Sequence, residues 1–299
     1  IRNLTRKTRY EETLFKEPKK NTPPPIVVRA ILILTCGAVS LSHGSNDGQK
    51  GVGLVMLILI GIVPAYFALN ANVDPTTLID PLKKIETVLV SIDPSPLSAP
   101  DRDKLIHTKE MNTVLIRELA VKASVASIPS EERFEYRKDV LLIDRNIKAL
   151  ESKPELRLSE ADKAILKREL KNVKVITDYS PRWVILMIAF SLGLGTMIGW
   201  KRIVKTIGEK IGKEHLTYAQ GASAELVAAS TITVSTYLGL PVSTTHVLSS
   251  GIAGSMVANK GVKNLQASTV RNILIAWLLT LPVVMILSGT LFLLFRAIL

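Results

Sequence analysis

Apolar and polar residues are segregated along this chain instead of being mixed. Ile26 to Ser42 is apolar except for Arg29, and Gly51 to Leu69 is apolar throughout. Each run has roughly the 17 to 25 residues that a bilayer crossing needs. His43 to Lys50 separates them. That stretch is too short for a domain and too polar for hydrocarbon, so a break from helical geometry is predicted there. Asn70 to Arg182 has a different texture. Amphipathic helical spacing recurs in Lys104 to Val125, Glu131 to Leu150 and Ser159 to Ile176, with Leu141, Leu142, Ile143, Ile147 and Leu150 on one side and charges on the other. Ser159-Glu160-Ala161-Asp162 reads as a helix start. No strand alternation of any length occurs.

Apolar sequence then resumes. Trp183 to Trp200 reads as a span with a tryptophan at each end, where the membrane interface favours aromatic rings. Lys201 to Leu216 is basic and amphipathic, the pattern of a helix on the membrane surface. Ala219 to Ala258 is apolar but rich in small and hydroxyl residues, and Gly239-Leu240-Pro241 interrupts it near the middle. Two helical arms joined by a turn, a re-entrant hairpin, fit that pattern better than one long helix. Arg271 to Leu299 reads as a final span that Pro282 kinks.

The predicted fold is therefore an all-α membrane protein. It has a basic linker (1–25), a membrane segment (26–69), a soluble helical insertion (70–182) and a second membrane segment (183–299). The last carries the surface helix, the hairpin and the final span. The polar opening reads as the middle of a loop, not as a natural start, and no signal peptide is visible.

Charge sharpens this picture without changing it. The 299 residues carry a net charge of +12. The excess is not one face. It gathers at the N-terminus (Arg2, Arg6, Lys7, Arg9, Lys16, Lys19, Lys20, Arg29) and after Trp200 (Lys201, Arg202, Lys205, Lys210, Lys213). Basic flanks beside spans are what membrane insertion produces, so nucleic acid is not an expected partner. Both flanks favour the cytoplasm; the insertion then faces outside with an odd number of crossings between Ile26 and Leu69, and inside with two full spans there. The single cysteine, Cys36, excludes an internal disulfide, and no zinc spacing exists. The insertion holds no catalytic constellation, and its one histidine, His107, reads as a solvated surface residue.

Chemistry enters through polar residues in apolar surroundings. Asp47 is a carboxylate inside a membrane segment, where such a group costs a few kcal/mol or more and marks function. Gly44 lets the chain leave helical geometry, and Asn46 offers both donors and acceptors. An unwound turn there would expose carbonyls able to hold a cation. In the second motif, Pro241 is able to begin a helix. Ser243, Thr244 and Thr245 would then join the free amides of its first turn, an anion site suited to a tetrahedral oxyanion. His246 adjoins it. Glu225 is a second carboxylate among small apolar residues, in Ala222-Ser223-Ala224-Glu225-Leu226. Carboxylates repel an oxyanion unless a proton or metal cation screens them, which is the logic of a symporter.

His43-Gly44-Ser45-Asn46-Asp47-Gly48-Gln49-Lys50-Gly51 resembles the Gly-x-Asn-Asp signature of the PiT family of inorganic phosphate transporters. Leu240-Pro241-Val242-Ser243-Thr244-Thr245-His246 is similar to that family's second signature. Gly195 to Trp200 and Ile207 to Gly212 also resemble the bacterial low-affinity permeases. The likeness covers most of Pro25 to Leu69 and Tyr179 to Leu299. That family is built from two inverted repeats, each with one copy of both motifs. This chain has one copy of each, so it is expected to be the C-terminal repeat, with the N-terminal repeat as its missing partner. The resemblance implies a multi-pass protein of the cell inner membrane that imports inorganic phosphate by symport with protons or sodium ions. Phosphate contacts fall to Asn46, Ser243, Thr244 and Thr245. Cation or proton coupling falls to Asp47 and Glu225, with His43, Gly44 and His246 in support. Ser45 stands where alanine is common. Gly48-Gln49-Lys50 differs from the Val-Ala-Asn of many sodium-coupled members, which favours the proton-linked branch that carries phosphate as a neutral divalent metal complex. No cofactor, resident metal or catalytic residue is expected, and a homodimer is a candidate assembly. The alternatives are a sulfate permease of the same superfamily and a non-transporting membrane scaffold. An enzyme built on His43, Asp47 and His246 is disfavoured, because their spacing matches no helix-borne metal motif.

Overall fold

The computed structural model describes residues 14, 15, 17, 18, 22–156, 158–198 and 200–298, without the side chains of 202 and 203. Most of the basic linker expected over 1–25 lies outside the described residues. Among those described the fold is all-α, with no strand beyond an isolated bridge between Gly212 and Leu265. Eleven α-helices follow one another: α1 (Ile26–Ile62), α2 (Pro64–Phe67), α3 (Ile79–Ser91), α4 (Ala99–Ala120), α5 (Arg133–Glu151), α6 (Glu160–Val173), α7 (Arg182–Met197), α8 (Trp200–Lys210), α9 (Tyr218–Tyr237), α10 (Thr244–Lys260) and α11 (Ala267–Ile298). The chain divides into two compact units: residues 1–50 with 187–299, and residues 51–186.

Residues 51–186 contain a four-helix assembly in which α3 packs on α4 and α6, and α5 packs on α4 and α6. Its apolar stripes close over Leu82, Ile85, Leu105, Leu115, Ile143 and Ile147, all buried. The amphipathic spacing of the sequence is thus spent on one shared core. Ser159 caps α6 by accepting from the Asp162 amide, as its position predicts. α3 was not expected from the pattern. Pro81 falls in its first turn, where a missing amide costs nothing. Arg137 on α5 donates to the carbonyls of Ala68 and Thr177, and Tyr179 donates to Phe67 O. The Asn70 amide donates to Ile176 O. These bonds clamp together the two ends of the insertion.

In the other unit α9 and α10 form an antiparallel hairpin. A Cβ on Gly251 would lie 3.3 Å from the Ala224 carbonyl, so glycine permits the close approach of the two arms. The turn uses Gly239 at φ 70°, a left-handed conformation that favours glycine. A small core of Ile211, Ala224, Ile252 and Met256 seats the end of α8 on the hairpin. The Lys213 amide donates to Asn264 O, and the Gln266 amide to Ile211 O.

α1 and α11 are long and apolar enough to cross a membrane, and α7 is a shorter apolar helix. α11 has no buried residue and displays Leu278, Leu281, Met285, Ile286 and Phe292 outward. An apolar surface of this extent on one helix marks a face for lipid or for another protein segment.

Three sequence expectations are corrected here. The break predicted at His43 to Lys50 does not occur, because α1 runs unbroken through the motif for 37 residues. The polar residues are compatible with a helix because they pair along it. His43 and Asp47 are one turn apart, as are Asp47 and Lys50. Nor does Pro241 begin the second arm. α10 starts at Thr244 with Ser243 as its cap, and Pro241 stays in the connection. The tryptophan expected at the far end of a single span, Trp200, instead opens α8.

Candidate functional site

α1 and α9 lie side by side and run in the same direction, joined by a seam of polar pairs. Thr35 donates to the Glu225 carboxylate at 2.5 Å, the Ser42 and Thr233 hydroxyls meet at 2.8 Å, and Asn46 Nδ2 donates to Thr236 Oγ1 at 2.8 Å. Positions 35, 42 and 46 share one face of α1 by helical periodicity, and 225, 233 and 236 share one face of α9. Asn46 is buried, and its Oδ1 has no partner among the described residues. Glu225 is half-buried and meets a neutral hydroxyl.

Above this seam the two motifs touch. Asp47 Oδ2 lies 2.8 Å from His43 Nε2, and Asp47 Oδ1 lies 3.0 Å from Lys50 Nζ. Lys50 Nζ also donates to the carbonyl of Val242, at 2.5 Å, in the connection that leads into α10. A side chain of the first motif is thus bonded to the backbone of the second, across 192 positions of sequence.

The start of α10 has the chemistry of an anion site. Ser243 Oγ accepts from the His246 amide, so this hydroxyl serves the helix cap. Thr244 and Thr245 follow in the first turn, where amides lack carbonyl partners within the helix. Thr244 is buried and Thr245 is exposed. Both line a cavity of about 600 Å³ together with His43, Ser40, Ser191 and Thr196. Trp200, Val204 and Ile207 of α8 supply an apolar wall. His246 is turned elsewhere: its ring stacks on Trp277 of α11, with centroids 4.0 Å apart.

The predicted residues therefore fall into three places. Thr244, Thr245 and His43 share the cavity. Asp47 and the Val242 backbone meet through Lys50. Asn46 and Glu225 lie in the α1–α9 seam, with Gly44 on the exposed side of α1. Sequence reasoning missed Lys50 as the bridge, the hydroxyls of Ser40, Ser191 and Thr196, and the α9 partners Thr233 and Thr236. The recurrence of hydroxyl and amide side chains at 35, 42 and 46 was a usable signal for the seam.

The profile of the phosphate transporter family matches residues 5–288. The chain belongs to the phosphate transporter family. It is 38% identical over 299 residues to the low-affinity inorganic phosphate transporter PitA of Escherichia coli (strain K12), covering 93% of this chain and 59% of that protein. It is 39% identical over 300 residues to PitB of the same organism, with the same coverage. A low-affinity inorganic phosphate transporter of Buchnera aphidicola subsp. Acyrthosiphon pisum is 38% identical over 296 residues, 93% of this chain and 58% of that protein. The chain thus spans about three fifths of the length of these relatives. No solved structure matches it. As a family member it is a membrane protein. Both signature motifs lie within the matched residues.

Proposed function

We propose that this chain forms part of a secondary transporter that imports inorganic phosphate by symport with protons or sodium ions. The observation that carries it is the cavity at the start of α10, where Thr244 and Thr245 add hydroxyls to a helix N-terminus in a member of the phosphate transporter family. Relatives of similar sequence carry the name of low-affinity inorganic phosphate transporters. Thr244 and Thr245 receive the oxyanion, with His43 beside them and Ser243 holding the helix start in register. The buried Asn46 Oδ1, which has no partner in the seam, adds an acceptor on the α1 side for a protonated phosphate oxygen or a cation. Asp47 and Glu225 supply the negative charge that makes anion uptake depend on a co-bound cation. A divalent metal ion travelling with phosphate as a neutral complex would meet the same need. The protein sits in the cell inner membrane with several crossings, and a companion repeat completes the pathway, as inverted-repeat transporters place their sites at the repeat interface.

Uptake of radiolabelled phosphate by cells lacking other phosphate importers tests this. Thr244→Val and Thr245→Val keep side-chain shape and remove one hydroxyl each. Each is expected to raise KM by about tenfold. Unchanged uptake in both variants would exclude the cavity as the phosphate site. Inhibition by sulfate at concentrations equal to phosphate would reassign the protein as a sulfate permease.

A further inference from the structure

The cavity at the start of α10 is too large for a single oxyanion. Its volume of about 600 Å³ belongs with sites that enclose drug-sized ligands. Four oxygens around one central atom fill a small part of that space. Thr244 and Thr245 cover one side of such an ion. Another wall has to approach before water leaves the other side.

The wall placed to do so is α8. Trp200, Val204 and Ile207 fall on one side of this helix by its 3.6-residue period, and all three line the cavity. Ile211 follows directly after the last turn. Burial rises from one end of this row to the other. Trp200 is 52% exposed and Val204 58%, Ile207 is half-buried, and Ile211 is 1% exposed. Ile211 packs on Ala224, Ile252 and Met256. Its carbonyl accepts from the Gln266 amide at 2.9 Å, and the Lys213 amide donates to Asn264 O at 2.8 Å. α8 is therefore pinned at its C-terminal end, while the apolar side chains of its first two turns stand half-exposed. An exposed tryptophan and valine forgo the stabilisation that burial gives. A helix on a membrane surface recovers it by dipping that side into lipid. Here the same side borders a cavity with the hydroxyls of Ser40, Ser191, Thr244 and Thr245.

We propose that α8 is the lid of the anion cavity and that Trp200 is its size filter. With an oxyanion at Thr244 and Thr245, the first two turns of α8 swing inward about the pinned end, and Trp200 and Val204 cover the ion. Closure expels water, which strengthens the hydrogen bonds that hold the anion. It also sets a size limit. An inorganic oxyanion leaves room for the indole, whereas the organic group of a phosphate monoester occupies the space the indole needs. The choice of cargo rests on the phosphate-import reading, but the movement of the lid is measurable without transport.

Two readouts on the full-length protein test it. The first is selectivity. Glycerol 3-phosphate is expected to compete poorly with phosphate for uptake by the wild type. In Trp200→Ala the ratio of its inhibition constant to the KM for phosphate is expected to fall by about tenfold. Trp200→Phe, which keeps an aromatic ring, is expected to stay close to the wild-type ratio. The second is labelling in detergent, after Cys36→Ala has removed the native thiol. Phosphate is expected to slow the reaction of Val204→Cys with a water-soluble maleimide severalfold. Met197→Cys, exposed and outside the cavity, is expected to react at one rate throughout. An unchanged ratio in a Trp200→Ala protein that still takes up phosphate would overturn the size filter. Equal labelling of Val204→Cys with and without phosphate would overturn the lid, and this result decides alone if Trp200→Ala does not reach the membrane. A wild type that carries no phosphate, with Val204→Cys still protected by it, would sink the import reading and leave the lid standing.

Discussion

Asn46 gives its amide N–H to Thr236 at 2.8 Å while its buried carbonyl oxygen has no hydrogen-bond partner among the described residues. The two atoms of one side chain thus have different fates, one fixing α1 to α9 and one left open. Thr236→Val removes the acceptor and keeps the shape, leaving a buried amide unsatisfied. A loss of about 1–3 kcal/mol is expected, read as a lower melting temperature of the purified protein.

Asp47 holds His43 and Lys50 at once. Asp47→Asn keeps the size of the side chain but removes the negative charge that gathers these two donors. Coupled phosphate uptake is expected to fall to background at normal membrane expression. Full uptake in that variant would remove Asp47 from the mechanism.

Arg137 spans the carbonyls of Ala68 and Thr177, and burial holds its guanidinium below its ordinary pKa. Arg137→Met keeps the aliphatic stem and deletes both bonds. About 1.5–3 kcal/mol of stability is expected to be lost. Limited proteolysis should then cut first near Ala68 to Asn72 and Thr177 to Ser180.

Asp101 is held well below the ordinary carboxylate value of 3.8, at about 2, chiefly by the hydrogen bond from Lys153 and then by those from Ser98 and Lys104. A depressed carboxylate stabilises the fold above its unfolded value and loses that contribution as pH falls through its folded value. The melting temperature should therefore drop between about pH 4 and pH 2. In Asp101→Asn the fall over that window should be shallower, with thermal unfolding followed by circular dichroism at each pH.

Much of the fold is legible in the sequence because its signals are local. Apolar runs announce α1 and α11, Gly239 announces the hairpin turn, and Ser159 announces α6. The misses have physical causes. His43 to Lys50 looks like a break because its residues are polar, yet His43, Asp47 and Lys50 stand at helical spacing and satisfy one another without unwinding the chain. Pro241 and Ser243 are competing helix-start signals two residues apart. The hydrogen bond from the His246 amide to Ser243 decides between them. α3 is hidden by the prolines around it, of which only Pro81 lies inside the helix. Of the site, the residue types are legible but the pairings are not. Thr35 with Glu225, Ser42 with Thr233 and Lys50 with Val242 each join positions about 190 apart, and no local pattern encodes that.

α11 touches its unit through few side chains, one of them Trp277 over His246. Its apolar stretch between Arg271 and Arg296 is about 36 Å long at the rise of an α-helix. That exceeds a hydrocarbon thickness of about 30 Å, so a helix crossing there has length to spare for tilt. A thicker bilayer would stand it upright and a thinner one would lay it over. Lipid chain length therefore becomes a mechanical setting on the indole that covers the last histidine of the second motif.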